Sequence, residues 1–214
     1  MLTSAPGRLR TAALFVALAG LAACSGSAPD APAVAPLDAA QAAARTQVPL
    51  TRPVALNKPG VIADLEFDLP PPGELAGSSL IIGIRIAEQT PREIVARSSL
   101  IVREGLPARV RLQKLDGELQ THEPLMRMAS ELKKRVALGA DGLTPGASPH
   151  SVNSGMMREA GLLRDGVIYD ELAFAYAGAP APGRYHVLVE LLEARPSLKD
   201  GGAELVIAYD GKSK

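Results

Sequence analysis

The sequence predicts a mainly β fold: an immunoglobulin- or fibronectin-like antiparallel β-sandwich with a short helix at about 90–98 and one longer helix at about 123–138. Three observations carry this expectation. From about Thr51 onward, short apolar runs with period-two alternation are separated by Pro- and Gly-containing turns, as sandwiches require. A single cysteine in 214 residues excludes an internal disulfide, so packing must hold the fold. The apolar 47% is Ala, Leu, Val and Ile, with 3% aromatics and no Trp, which favours aliphatic layers and disfavours stacking platforms for sugars.

At the N-terminus, Arg8 and Arg10 precede an apolar run from Ala12 to Leu21, and small residues lead to Cys24. This is the architecture of a secretory signal. A helix of roughly a dozen residues spans about 18 Å, short of the ~30 Å hydrocarbon core, so the segment reads as a cleaved signal over 1–23. The tetrad Leu21-Ala22-Ala23-Cys24 resembles the lipobox of bacterial lipoproteins. That resemblance implies cleavage between Ala23 and Cys24, a diacylglyceryl group on the sulfur and an acylated (for example palmitoylated) new N-terminus. Two or three acyl chains at ~0.8 kcal/mol per buried methylene anchor a protein durably. By the same resemblance, Ser25 points to the outer membrane, with the domain facing the periplasm.

Without Arg8 and Arg10 the chain keeps 21 basic against 23 acidic residues, which offers nothing to nucleic acid. Ser25 to about Pro49 is mostly Ala, Pro and Ser and buries too little to order itself, so 24–50 reads as the lipidated Cys24 and a flexible tether. An Ala-rich helix over 38–46 would be marginal in isolation. The remaining 51–214 make one domain.

Within it, Pro53 to Leu56 reads as an edge strand closed by Asn57-Lys58-Pro59-Gly60. Val61 to Leu69 alternates Leu65, Phe67 and Leu69 against Asp64, Glu66 and Asp68, the pattern of a half-buried strand. Ser79 to Glu88 places Leu80, Ile82, Ile84 and Ile86 on one face and Ile81 and Gly83 on the other, which suits a central strand. Thr90-Pro91-Arg92-Glu93 has capping-box spacing with Pro at the first helical position. Alternation returns over Pro107 to Leu115. Leu125, Met128, Ala129, Leu132 and Val136 then recur at helical spacing, with Lys133-Lys134-Arg135 as a solvated helix end and Gly139 as the stop. Residues 140–161, rich in Gly, Pro, Ser and Asn, read as a long irregular loop. Three strands finish the chain: Val167 to Tyr176, Arg184 to Ala194 and Ala203 to Tyr209.

The motifs argue against most chemistry. Same-face carboxylates on a strand stand ~7 Å apart, too far for Asp64, Glu66 and Asp68 to converge on Ca²⁺ without a wrapping loop. His122, His150 and His186 lack zinc-ligand spacing, and no glycine-rich phosphate loop is present, so neither metal nor cofactor is expected. His150 lies near Ser148, Ser151 and Ser154, which frames a hydrolase alternative, although no Gly-x-Ser-x-Gly elbow exposes a nucleophile. As part of the long loop, His150, Ser151 and Asn153 are the candidate partner-binding residues.

Pro53-Val54-Ala55-Leu56-Asn57-Lys58-Pro59-Gly60 and Pro182-Gly183-Arg184-Tyr185-His186-Val187-Leu188-Val189-Glu190-Leu191-Leu192-Glu193, followed by Pro196, Ser197 and Leu198, resemble an uncharacterised family of proteobacterial lipoproteins. Some similar lipoproteins serve as periplasmic immunity partners of lipases delivered by type VI secretion. The resemblance implies a non-enzymatic outer-membrane lipoprotein that binds another protein. An envelope hydrolase and a passive structural lipoprotein are the alternatives.

Overall fold

Alternation in the sequence becomes alternation in burial in a computed structural model, which describes residues 34–117, 119–129, 134–198 and 201–211. The expected signal peptide and its Ala23–Cys24 cleavage site lie outside these residues. Two antiparallel sheets pack as a sandwich. The larger runs β1 (Leu50–Val54), β12 (Ala203–Tyr209), β3 (Leu80–Glu88), β10 (Ile168–Ala177), β6 (Leu125–Ala129) and β7 (Lys134–Ala137), with β9 (Ser148–His150) also on β10. The smaller runs β2 (Gly60–Leu69), β11 (Gly183–Leu191), β4 (Ala108–Asp116) and β5 (Leu119–His122), with β8 (Leu143–Thr144) also on β4.

The facing rows are those that the alternation marks. Phe67 and Leu69 on β2, Tyr185, Val187 and Val189 on β11, and Leu80, Ile82, Ile84 and Ile86 on β3 fill the interior between the sheets. Strand β3 is buried on its other face too, where Ile81 joins Ala173, Tyr176, Val206 and Ala208 in a second cluster. That outer cluster is covered by Val152, Leu162 and Met157, the last from α3 (Ser154–Glu159). Strand β3 is thus central, flanked by β12 and β10.

The first expected helix forms and is longer, α2 (Pro91–Glu104). Thr90 Oγ1 accepts the Glu93 N–H and donates to its carboxylate, as the capping residues imply, and Ile94, Ser98 and Ile101 face the core. The helix ends at Gly105, whose φ of 65° suits glycine.

The helix expected over 123–138 is not there. Its described residues form β6 and β7, paired antiparallel from Met126↔Ala137 to Ala129↔Lys134. The helical spacing arose because this ribbon is apolar on two faces: Leu125 enters the inner core, whereas Met126 and Met128 pack on the outer cluster. Residues on opposite faces of a strand then mimic one stripe of a helix. Pairing with β10 (Tyr176↔Met126, Ala177↔Leu125) supplies a tertiary contact that helical propensity cannot match.

Two further expectations are revised. Residues 140–161 are not one irregular loop, for they hold β8, β9 and α3. The tether expected to reach residue 50 gives way earlier to folded structure: α1 (Ala39–Ala44) carries a reciprocal Asp38–Gln41 cap, Gln47 bridges Asp68, and Val48 and Leu50 are buried. Contact with the domain supplies what an isolated six-residue helix lacks.

Tyr185 ties the start of β11 to the preceding turn. Its hydroxyl donates to the Ala181 carbonyl at 2.6 Å, while its ring stacks on Phe67 at 5.8 Å between centroids. Burial pushes the phenol above its usual range, so it stays a donor at any physiological pH. Replacing Tyr185 with Phe is expected to cost about 1 kcal/mol, the worth of one net hydrogen bond, with the stacking intact. Urea denaturation of the variant measures this directly, and an unchanged midpoint would dismiss the hydroxyl's role.

Candidate functional site

Of the loop residues proposed from sequence, His150 lines a cleft, and among the described residues it does so without a serine partner. His150 ends β9, and its Nε2 lies 2.8 Å from Asp210 Oδ1. The other oxygen, Asp210 Oδ2, accepts from Arg135 at 2.6 Å. Arg135 also donates to Ser79 Oγ at 2.6 Å, and its guanidinium lies 4.3 Å over the Tyr176 ring. The His150 ring meets the same tyrosine edge-on at 4.9 Å. Of these, Ser79, Arg135, His150 and Asp210 line an open cleft of about 480 Å³, completed by Ala76, Gly77, Ser78 and Gly211, while the Tyr176 ring is buried behind them.

Each element brings one part. Strand β7 carries Arg135, β10 carries Tyr176, and the residue after β12 is Asp210, whose own N–H donates to the Ser79 carbonyl at 2.9 Å. Burial raises the Tyr176 phenol above its ordinary value. One carboxylate thus holds a cation from β7 and an imidazole from β9, and the cluster fastens both to the end of β12.

The remaining sequence candidates serve the backbone. The Ser151 carbonyl accepts the Gly211 N–H at 2.9 Å. Asn153 Oδ1 accepts the Met156 N–H at 3.0 Å as the cap of α3, and its own N–H donates to the Tyr209 carbonyl. Ser148 Oγ donates to the Ala173 carbonyl at 3.5 Å, and Ser154 is the exposed first residue of α3. Among the described residues, the hydrogen bond of His150 is to Asp210 and not to Ser148, Ser151 or Ser154. Arg135, Asp210, Ser79 and Tyr176 were not legible as site residues. Arg135 lies 75 positions from Asp210 and 56 from Ser79, and no local spacing announces such pairs.

The outer face of the smaller sheet is the other polar surface. Glu66 Oε2 pairs with Arg184 at 2.7 Å, and Asp64 Oδ1 with His186 at 2.6 Å. The Asp64 and Glu66 carboxylates therefore reach across to β11 rather than toward a common point. His122 faces Gln113 at 3.3 Å on the same side of this sheet. Among the described residues no group of His, Cys, Asp and Glu is arranged to hold a metal ion. No described helix is long and apolar enough to cross a membrane.

No protein-family model matches the chain, and no curated protein sequence matches it. One solved structure, a protein from Sulfurospirillum deleyianum, is similar over 77% of this chain and 98% of its own, at 10% identity and a TM-score of 0.37. A likeness that distant carries no argument about function.

Proposed function

We propose that this chain is an outer-membrane lipoprotein, anchored through Cys24, whose periplasm-facing sandwich binds another protein without catalysing a reaction. Neutralisation of a secreted lipase is the specific form. The observation that supports the binding role is the outer face of the smaller sheet. Charged and polar residues of β2, β11 and β4, among them Asp64, Glu66, Arg184 and Arg111, stay exposed there. A charged sheet face suits recognition of a folded partner, with charge setting both the encounter rate and the choice of partner.

Titrating the full-length chain into a lipase toxin delivered by a type VI system of the same cell is expected to stop phospholipid hydrolysis at an equimolar amount. Undiminished turnover at excess chain removes the neutralisation reading. Mass spectrometry of the mature N-terminus tests the anchor, since an unmodified Cys24 sulfur is incompatible with it.

A second reading, an envelope hydrolase, draws on the His150–Asp210 pair, because a carboxylate orienting an imidazole is half of a nucleophile-activating arrangement. Its test is turnover of peptidoglycan or phospholipid by wild type and His150→Ala. Equal rates eliminate it.

A further inference from the structure

We propose that the open edge of β2 takes up an extended, basic segment of a partner protein as an added strand. This rests on the protein-binding role proposed above and assigns it a place. The chain already adds a strand at one end of this edge. Asp68 donates its N–H to the Thr46 carbonyl at 2.7 Å and accepts the Val48 N–H at 3.1 Å, and Gln47 pairs parallel to it. The Asp68 backbone groups therefore point away from β11.

Backbone direction alternates along a strand, so the N–H and C=O of Glu66 and Asp64 point the same way. Register with β11 is unbroken from Leu69 to Ala63, and the shift comes only beyond it, which preserves that alternation. Among the described residues nothing pairs with β2 on this side before Asp68. Chain continuity explains the opening: past Thr46 the backbone turns at Arg45 into α1 instead of running on along β2. The regular free stretch, 63–67, offers about 17 Å at ~3.4 Å per residue, the length of an ordinary strand.

Side chains decide what fits. Asp64 and Glu66 are 64% and 48% exposed, and their neighbours on β11 occupy one oxygen of each. Arg184 bonds Glu66 through Oε2 alone and His186 bonds Asp64 through Oδ1 alone, leaving Oε1 and Oδ2 for another cation. A strand laid here would set alternate side chains beside these carboxylates, where Lys or Arg gains a cross-strand pair and Asp or Glu is repelled. A second copy of β2 would bring its own Asp64, Glu66 and Asp68 against the same residues. Like charges on an edge discourage such self-pairing, so the occupant is a foreign basic strand, bound by β-augmentation.

Amide exchange of the full-length chain, read residue by residue, tests this with two synthetic peptides, one alternating lysine and threonine, the other glutamate and threonine. The lysine peptide is expected to slow exchange at the Asp64 and Glu66 amides at least tenfold at saturation, with no slowing from the glutamate peptide. Unaltered exchange at those two amides, or equal protection by both peptides, overturns the proposal. Glu66→Pro removes an outward N–H that β11 does not use, a position where edge strands tolerate proline, and should weaken lysine-peptide binding at least tenfold. Should that variant fail to fold, Asp64→Lys with Glu66→Lys decides, because it must reverse the preference between peptides. If wild type and charge-reversed chain neutralise a lipase equally well, the edge is not the site and the protein-binding role survives. If wild type neutralises no lipase yet protects both amides with the lysine peptide, the edge stands and the lipase does not.

Discussion

Gly83→Ala is expected to destabilise the protein by about 3 kcal/mol, the upper range for forcing atoms into a packed interior. A Cβ on Gly83 would sit 2.3 Å from the Leu172 carbonyl oxygen and 3.0 Å from the Ala173 Cα. Both are backbone atoms of β10, so no side-chain rotation relieves the clash. Close approach here follows from a bulge: Ala173 pairs with Gly83 and Ala175 with Ile82, which leaves Phe174 as an extra residue and presses β10 onto β3. Phe174 is buried in the inner core and Ala173 in the outer cluster, so pushing the strands apart loosens packing on both faces of the larger sheet. Urea denaturation measures the loss. Gly178→Ala is the control, because its Cβ would meet only the Met126 methyl at 3.7 Å, and it should change stability by no more than about 0.5 kcal/mol. A Gly83→Ala midpoint as close to wild type as the control's would show that the bulge has slack.

Glu171→Gln is expected to stabilise the protein above pH 7 and to do little near pH 5. Burial pushes the Glu171 carboxyl up to about 7, against the attraction of Arg85 and a backbone hydrogen bond from Val152, while the Asp170 carboxylate pushes the same way as burial. Arg85 has little to spare for it. Its guanidinium bonds Glu204 Oε2 at 2.6 and 2.9 Å and the Leu162 carbonyl at 2.8 Å, and it stacks 4.3 Å over Tyr169. A folded pKa above the unfolded one means that the native state holds its proton longer. Stability from this group is therefore complete below about pH 4.5, falls as pH rises toward 7, and stays low beyond. At ~1.4 kcal/mol per pH unit over about 2.5 units, the loss is about 3.5 kcal/mol. Gln keeps the shape and cannot ionise, so the variant should gain that amount over wild type at pH 8 and almost none at pH 5. Denaturation at both pH values checks this, and a difference between the two proteins that does not change with pH would refute it.

Residues a few positions apart carried much of the fold. Asp64 to Leu69 and Leu80 to Ile86 alternate visibly, and Thr90-Pro91-Arg92-Glu93 marks a helix start, because pleat and cap chemistry act over two to four residues. Around Leu125 the apolar spacing fits a helix as well as a strand, since an apolar residue does not say which of two cores it enters. Arg85 gave no sign of being buried, although it is 3% exposed and central to the outer face of the larger sheet.

From sequence alone came the class of the fold, most strand positions, the start of α2 and the expected export and anchoring at Cys24. Tertiary structure alone decided the strands at Leu125–Ala129 and Lys134–Ala137, the cleft and the open edge. His150 meets Asp210 across 60 residues, and Arg85 meets Glu204 across 119. Such pairs depend on which strands become neighbours and in what register, a choice made by burial of the whole sheet and not by any short stretch of chain.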